Sequence, residues 1–453
     1  MFRKQGALFV GKTSANKSLA SSLLRSILAK ALTILAALSV TPSAHPYSLL
    51  THEQLIDLTW HDSILPMLRN RYPYASPAEL EAARAYAYGG CAIQDVGYYP
   101  FGDVFISQLT HYVRTGDFIA SLFRHARNPN ELAFAIGALS HYIGDTIGHA
   151  DATNRAVPVE FPRLAAVYGP VVTYAEDEHA HVQTEFAFDI NEIAHQRLAP
   201  ARYLRHIGLG VPTGQLAAAF YETYGLGKDF ANRRSRRINV RGYRFAVRSL
   251  LPRAAYAVTI LHRKDLPADS QSADFLRLQK EAAAVATGND WNRYRRKPGM
   301  LTYATAGLIY ILPKVGPLRD VAVRGPTPET AEEYVRSVNR ASDELRTALD
   351  KFGGPKPGLD NRDLDTGYVV REGGYKLTDE TYAKLLHRLA ADPRVAIPSE
   401  LKADILSFYA NPDTPTIVKG EAAKWSRVQT DLSTLAAMPV IEAPEAKIAS
   451  VSK

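Results

Sequence analysis

The sequence holds a single cysteine, Cys91. No intrachain disulfide can form, and a structural zinc site built from thiolates is excluded. The apolar–polar alternation that marks strands is scarce, which argues against a sheet protein. Beyond residue 44 no apolar run approaches the roughly 20 residues that a membrane-spanning helix needs. Residues 1–44 contain six basic side chains and no acidic one.

What is present is the composition of a folded chain: 46% hydrophobic and 22% charged over 453 residues. That length is too great for one ordinary core and suggests two domains, or one large domain with an appendage. The net charge of +8 is uneven. Residues 45–232 carry 12 bases and 20 acids, whereas residues 233–453 carry 36 bases and 26 acids. The chain therefore reads as a basic leader, an acidic middle and a basic C-terminal half.

The leader has the pattern of an export signal: a basic stretch, an apolar run from Ala31 to Leu38, then the small residues Ser39, Ser43 and Ala44. An uncleaved anchor is the alternative. Cleavage near Ser43 or Ala44 would leave a mature chain of net charge about +2 that is secreted or periplasmic, soluble or peripheral. Gly6 to Thr13 fits the phosphate-loop pattern letter for letter, but only five residues precede Gly6. There is no room for the strand that must feed such a loop, so the match carries no nucleotide site.

From Thr51 the periodicity is helical. It predicts helices through Leu55 to Leu68, from Pro77 through Tyr86, from Asp103 to Phe123, from Asn130 to His149, and from Glu176 to Leu198. The fourth is apolar on most sides, hence central. The expected fold class is all-α, a multi-helix bundle.

Eleven of the thirteen histidines lie between His45 and His206. His141, Asp145 and His149 follow one another at i, i+4, i+8 and so line one helix face. His181 and Glu185 repeat the i, i+4 spacing on a later helix, and bundles build metal sites from such pairs on facing helices. His52, Asp95 and His111 complete a set of eight nitrogen and oxygen donors suited to catalytic zinc.

This ordered set resembles the zinc-dependent phospholipase C family, whose fold is shared with zinc-dependent single-strand nucleases. The family's series runs His near the mature N-terminus, Asp, His, His-x-x-x-Asp, His, then His-x-x-x-Glu. Here it is matched by His52, Asp95, His111, His141, Asp145, His149, His181 and Glu185 over residues 45–200.

The resemblance implies two to three zinc ions. Asp95, His111, His141 and Asp145 would hold one, and His149, His181 and Glu185 a second. His52, Asp145 and the mature N-terminal amine and carbonyl would hold a third. It implies hydrolysis of phospholipid or another phosphodiester through zinc-activated water, with Asp95 as ligand or as the base toward that water.

Two positions depart from the family. Its better-known members put five residues between the helix Asp and the next His. Here His149 follows after three and Asp151 stands at the expected place, with His149 favoured because it already shares the face. The family's N-terminal Trp is also missing, leaving His45 or Tyr47 near that end. His179 competes for the position of His181. Glu185, where the nucleases carry Asp, favours the phospholipase branch. A single-strand nuclease and a zinc-binding surface protein without turnover are the alternatives, and no dedicated nucleic-acid partner is expected.

Around the site, Tyr98 to Phe101 form an aromatic loop, and Arg114 and Arg124 could face an anionic substrate. The resulting division is 1–44 signal peptide, 45–265 catalytic domain, and 266–453 a basic, mostly helical region of unassigned role. Basic runs at 233–237 and 293–297 and the apolar segment Ala306 to Leu312 suggest peripheral membrane contact through this half. Helices are expected from Val240 to Leu261, near 328–351 and near 378–391. Gly353 to Gly374, rich in Gly, Pro and Asp, reads as a loop or linker.

Overall fold

The structure is a computed structural model that describes residues 49–226, 233–311, 323–351 and 359–442, with four isolated positions in the leader (22, 25, 26 and 29). The apolar run 31–38, the Gly6–Thr13 match and residues 45–48 lie outside them. The principal helices are α1 (Leu49–Thr59), α2 (Pro77–Gly90), α3 (Val104–Tyr112), α4 (Thr115–Arg124) and α5 (Pro129–Gly148). They continue with α6 (Glu178–Ala194), α7 (Leu251–His262), α8 (Met300–Ile311), α9 (Pro328–Lys351) and α10 (Lys376–Ala390). The named strands are a two-residue parallel pair, Ile397–Pro398 with Val440–Ile441. The fold is all-α, as the periodicity predicts.

Helix α5 starts where Asn128 accepts a hydrogen bond from the Glu131 amide, with Pro129 at the first helical position. It is buried almost continuously from Leu132 to Asp145, so its polar groups can meet only other buried groups. α2 begins in a reciprocal cap: the Ser76 amide donates to Glu79 while the Glu79 amide donates to the Ser76 hydroxyl. α2 and α5 then cross at backbone contact. A Cβ on Gly90 would stand 2.1 Å from the Phe134 carbonyl oxygen, and one on Gly137 2.2 Å from that of Ala87. The two glycines bring Cys91 and Gln94 against α5, where Gln94 donates to the Ala138 carbonyl.

α9 lies across α1 and α5. Its Tyr334 stacks on Phe188 of α6, and the Tyr334 hydroxyl is 2.8 Å from that of Thr51. One apolar cluster runs from Leu49 to Met438, so the C-terminal half shares its core with the acidic middle.

The single helix expected over Asp103–Phe123 is corrected. The chain breaks at Val113 and Arg114, Arg114 taking a left-handed φ of 48°. Distant groups impose the break. The buried Arg114 guanidinium donates to the Thr223 carbonyl and to Asp117, and the Thr115 hydroxyl donates to the Arg362 carbonyl. The break ends α3 just after His111 and turns α4 away. Gly353–Gly374 also departs from the linker reading. Residues 352–358 lie outside the described residues, but 359–374 run against α3, α4 and α5.

Candidate metal centre

All eight predicted donors are buried, none more than 2% exposed. His52 comes from α1, Asp95 from a short 3-10 turn, His111 from the last turn of α3, and His141 and Asp145 from α5. His149 opens a π-helical turn, His149–Thr153, that continues α5, and His181 and Glu185 stand on α6. α6 is capped by Asp177, which accepts from the Ala180 amide.

Their donor atoms collect into three groups, the atoms of each lying within 4.8 Å of one another: His52/His141/Asp145, Asp95/His111/His141 and His149/His181/Glu185. His141 belongs to the first two, and Asp145 lies between them. Its Oδ1 is 3.1 Å from His52 Nε2, and its Oδ2 is 3.0 Å from His141 Nε2 and 3.6 Å from His111 Nε2. Asp95 Oδ1 is 3.2 Å from His111 Nε2 and 3.9 Å from His141 Nε2. Glu185 Oε1 is 3.1 Å from His181 Nε2 and 3.0 Å from His149 Nε2. Ligands on a tetrahedral zinc with bonds of 2.0–2.1 Å stand about 3.3 Å apart, so these separations suit that ion.

The partners of the ring nitrogens strengthen the fit. Nδ1 of His111 lies 2.7 Å from the Ser107 carbonyl, that of His141 3.0 Å from the Cys91 carbonyl, and that of His149 2.7 Å from the Leu364 carbonyl. A carbonyl only accepts, so each Nδ1 carries a proton, and in the neutral imidazole each Nε2 is then a lone pair facing carboxylate oxygen. Lone pairs on nitrogen and oxygen repel at these distances unless a positive charge sits between them. His111 Nε2, His141 Nε2, Asp95 Oδ1, both Asp145 oxygens, both His181 nitrogens and Glu185 Oε2 make no hydrogen bond to protein. Buried polar atoms without partners are rare, and a group of them facing inward fits cations of the kind zinc supplies.

The protonation preferences show the same tension. Burial pushes His52 and His181 down to about 4 and raises Glu185 to about 8. Burial also opposes a charge on His111, but the Asp145 and Asp95 carboxylates outweigh it and hold that imidazole at about 10.

The grouping differs from the expected partition in two respects: His141 joins the His52/Asp145 group as well as its own, and Asp145 is outside the Asp95/His111/His141 group that the resemblance gave it. The N-terminal part of that site lies outside the described residues. His149 joins Glu185, while Asp151 is turned to the surface and pairs with Arg340. Helix geometry makes this choice: His149 stands one turn beyond Asp145 on the same face, and Asp151, two residues further, falls on the opposite side. His181 enters the group and His179 does not.

Arg114 and Arg124 do not reach the centre; Arg124 pairs with Glu222. Of the aromatic loop, Tyr98 is buried with its ring 5.6 Å from that of His111, Tyr99 packs on Tyr243, and Phe101 is exposed. His61 and His125 bond to Asn289 and Glu222, and His206 stacks on Tyr294. The sequence reading missed Leu364 and Asp365, which approach the centre from a stretch whose composition resembled a linker, and Asn154, which follows the π turn and donates to the Asp365 carbonyl.

Because His141 stands in two groups and Glu185 in one, the two substitutions should differ. We expect His141→Ala to lower bound zinc by one to two ions per chain and Glu185→Ala by one, read by elemental analysis of folded protein. Unchanged zinc in both variants would contradict the grouping.

No curated protein and no solved structure matches the chain. Residues 51–232, the stretch that contains all eight donors, match the family described as zinc dependent phospholipase C.

Proposed function

We propose that the chain is an exported, zinc-dependent phosphodiester hydrolase of phospholipase C type, acting on phospholipid head groups. The observation that carries this reading is the convergence of eight buried donors into three groups inside the stretch that matches the family. Glu185, rather than Asp, at the end of the series favours phospholipid over single-stranded nucleic acid. The leader's basic and apolar pattern supports export.

His52, Asp95, His111, His141, Asp145, His149, His181 and Glu185 would hold two to three zinc ions. Bound zinc supplies a water acidified to a pKa of about 7 and positive charge for a phosphate in transit. The chain's own part is to hold the donors and handle the proton. Asp145 reaches His52 with one oxygen and His141 and His111 with the other, and so links the first group to its neighbour. Asp95 has Oδ1 among the donors, which leaves its second oxygen to accept a proton from the attacking water. The buried Tyr98 ring beside His111 excludes solvent from that side.

The C-terminal half contributes a surface for the lipid. Helix α8 carries no charged residue, yet Met300, Tyr303, Tyr310 and Ile311 are exposed along one stripe, Tyr310 and Ile311 by more than 75%. Exposed Arg293, Arg296 and Lys297 precede it. An uncharged aromatic face beside basic side chains matches an anionic membrane surface.

Purified protein should release the phosphorylated head group from phosphatidylcholine, lose that activity to a chelator, and leave single-stranded DNA intact. DNA cleavage would favour the nuclease, and inertness on every diester a binding protein. Asp95→Asn should keep its zinc while hydrolysis falls 10²–10⁴-fold; loss of a zinc ion instead would make Asp95 a ligand only. The double variant Tyr303→Ser/Tyr310→Ser should bind phosphatidylserine-containing vesicles roughly tenfold more weakly in a sedimentation assay. Unchanged partitioning would rule out α8 as the contact.

A further inference from the structure

We propose that residues 359–375 form a strap that positions the metal-binding histidines, with Asp365 as its anchoring residue. Leu364 is the point of contact. Its amide donates to the His111 carbonyl at 3.0 Å, and its own carbonyl accepts from His149 Nδ1 at 2.7 Å. One residue far along the chain thus ties the end of α3 to the end of α5, joining a donor of one group to a donor of another.

Asp365 holds Leu364 in that register. Its Oδ2 accepts from the Tyr112 hydroxyl at 2.9 Å and the Tyr375 hydroxyl at 2.7 Å, and its carbonyl accepts from Asn154 Nδ2 at 2.7 Å. Tyr112 is the residue after His111, and Asn154 follows the π turn that His149 opens. Tyr375 is itself fixed by the Ala175 amide, which donates to its hydroxyl at 3.2 Å. Asp365 is 2% exposed, and both groups bonded to its Oδ2 are neutral phenols.

Two residues on, the strap touches α5 so closely that only glycine fits. Gly367 has a φ of 74°, and a Cβ there would stand 2.5 Å from the Thr146 carbonyl oxygen. A segment with three anchors and a backbone contact is built to be held still.

The chemical consequence falls on His149. An imidazole whose Nδ1–H has a fixed acceptor presents Nε2 in one tautomer and one rotation. Removing such a partner costs a metal site about 10–100-fold in affinity. Among the described residues, the carbonyl acceptors for His111 and His141 lie at Ser107 and Cys91, within the stretch that matches the family. The acceptor for His149 lies outside it, so retention of metal by the His149/His181/Glu185 group depends on the C-terminal half. Asp365 is a positioning residue and touches no donor atom itself.

This inference rests on the zinc reading, and the experiment separates the two. Full-length protein is loaded with zinc, freed of excess, and mixed with a colorimetric chelator while ions released per chain are followed in time. Wild type holding no zinc would overturn the zinc reading. With wild type holding two to three ions, Asp365→Ala and Gly367→Ala should each release one ion 10–100-fold faster than wild type. Asp365→Asn, which keeps an oxygen for the two phenols, should restore most of the retention. Release at the wild-type rate from folded Asp365→Ala overturns the proposal, and so does a lowered melting temperature with unchanged release. Should Asp365→Ala not fold, Tyr375→Phe decides: faster release of one ion supports the strap, and an unchanged rate overturns it.

Discussion

Three carboxylates and five imidazoles share a volume in the helical core where no donor is more than 2% exposed. Burying an unpaired charge costs several kcal/mol, and ionised carboxylates facing neutral imidazole lone pairs do not satisfy one another. Positive charge among the donors offsets that cost, and the surrounding helices fix where the donors stand. The glycine crossing of α2 and α5 puts the Cys91 carbonyl within reach of His141. The break at Arg114 ends α3 just beyond His111, and a π turn opens at His149.

The same constraint explains why irregular backbone gathers here. A 3-10 turn carries Asp95, a π turn begins at His149, and a non-helical strap crosses at Leu364. A regular helix spends its interior carbonyls on its own amides, and while the Ser107 carbonyl within α3 also takes the His111 ring, the other two acceptors come from a helix end and an irregular segment. Cys91 at the end of α2, and Leu364 on the strap, are such acceptors.

Much of the centre was legible because it is local. The i, i+4 spacings of His141/Asp145 and His181/Glu185 need only helix geometry to become shared faces, and the apolar flanks of α5 announced burial. The preference for His149 over Asp151 followed from the same alignment. The break at Arg114 was not legible, since its cause is the Thr223 and Arg362 carbonyls more than a hundred residues away. The strap was hidden for a related reason: Gly, Pro and Asp are as suitable for a docked irregular segment as for a solvated linker, and only tertiary contacts tell them apart. His141 serving two groups also required coordinates, because one ring can be shared only when two other elements converge on it.

The position of Leu364 in the chain sets an order of events in biosynthesis. Glu185 completes the donor series, but the carbonyl that orients His149 follows 179 residues later. At 5–20 residues per second, a nascent chain carries all eight candidate donors for about 10–35 s before that acceptor exists. During this interval His149 lacks the acceptor that fixes its ring, so the final geometry of the His149/His181/Glu185 group waits for the C-terminal half to be made.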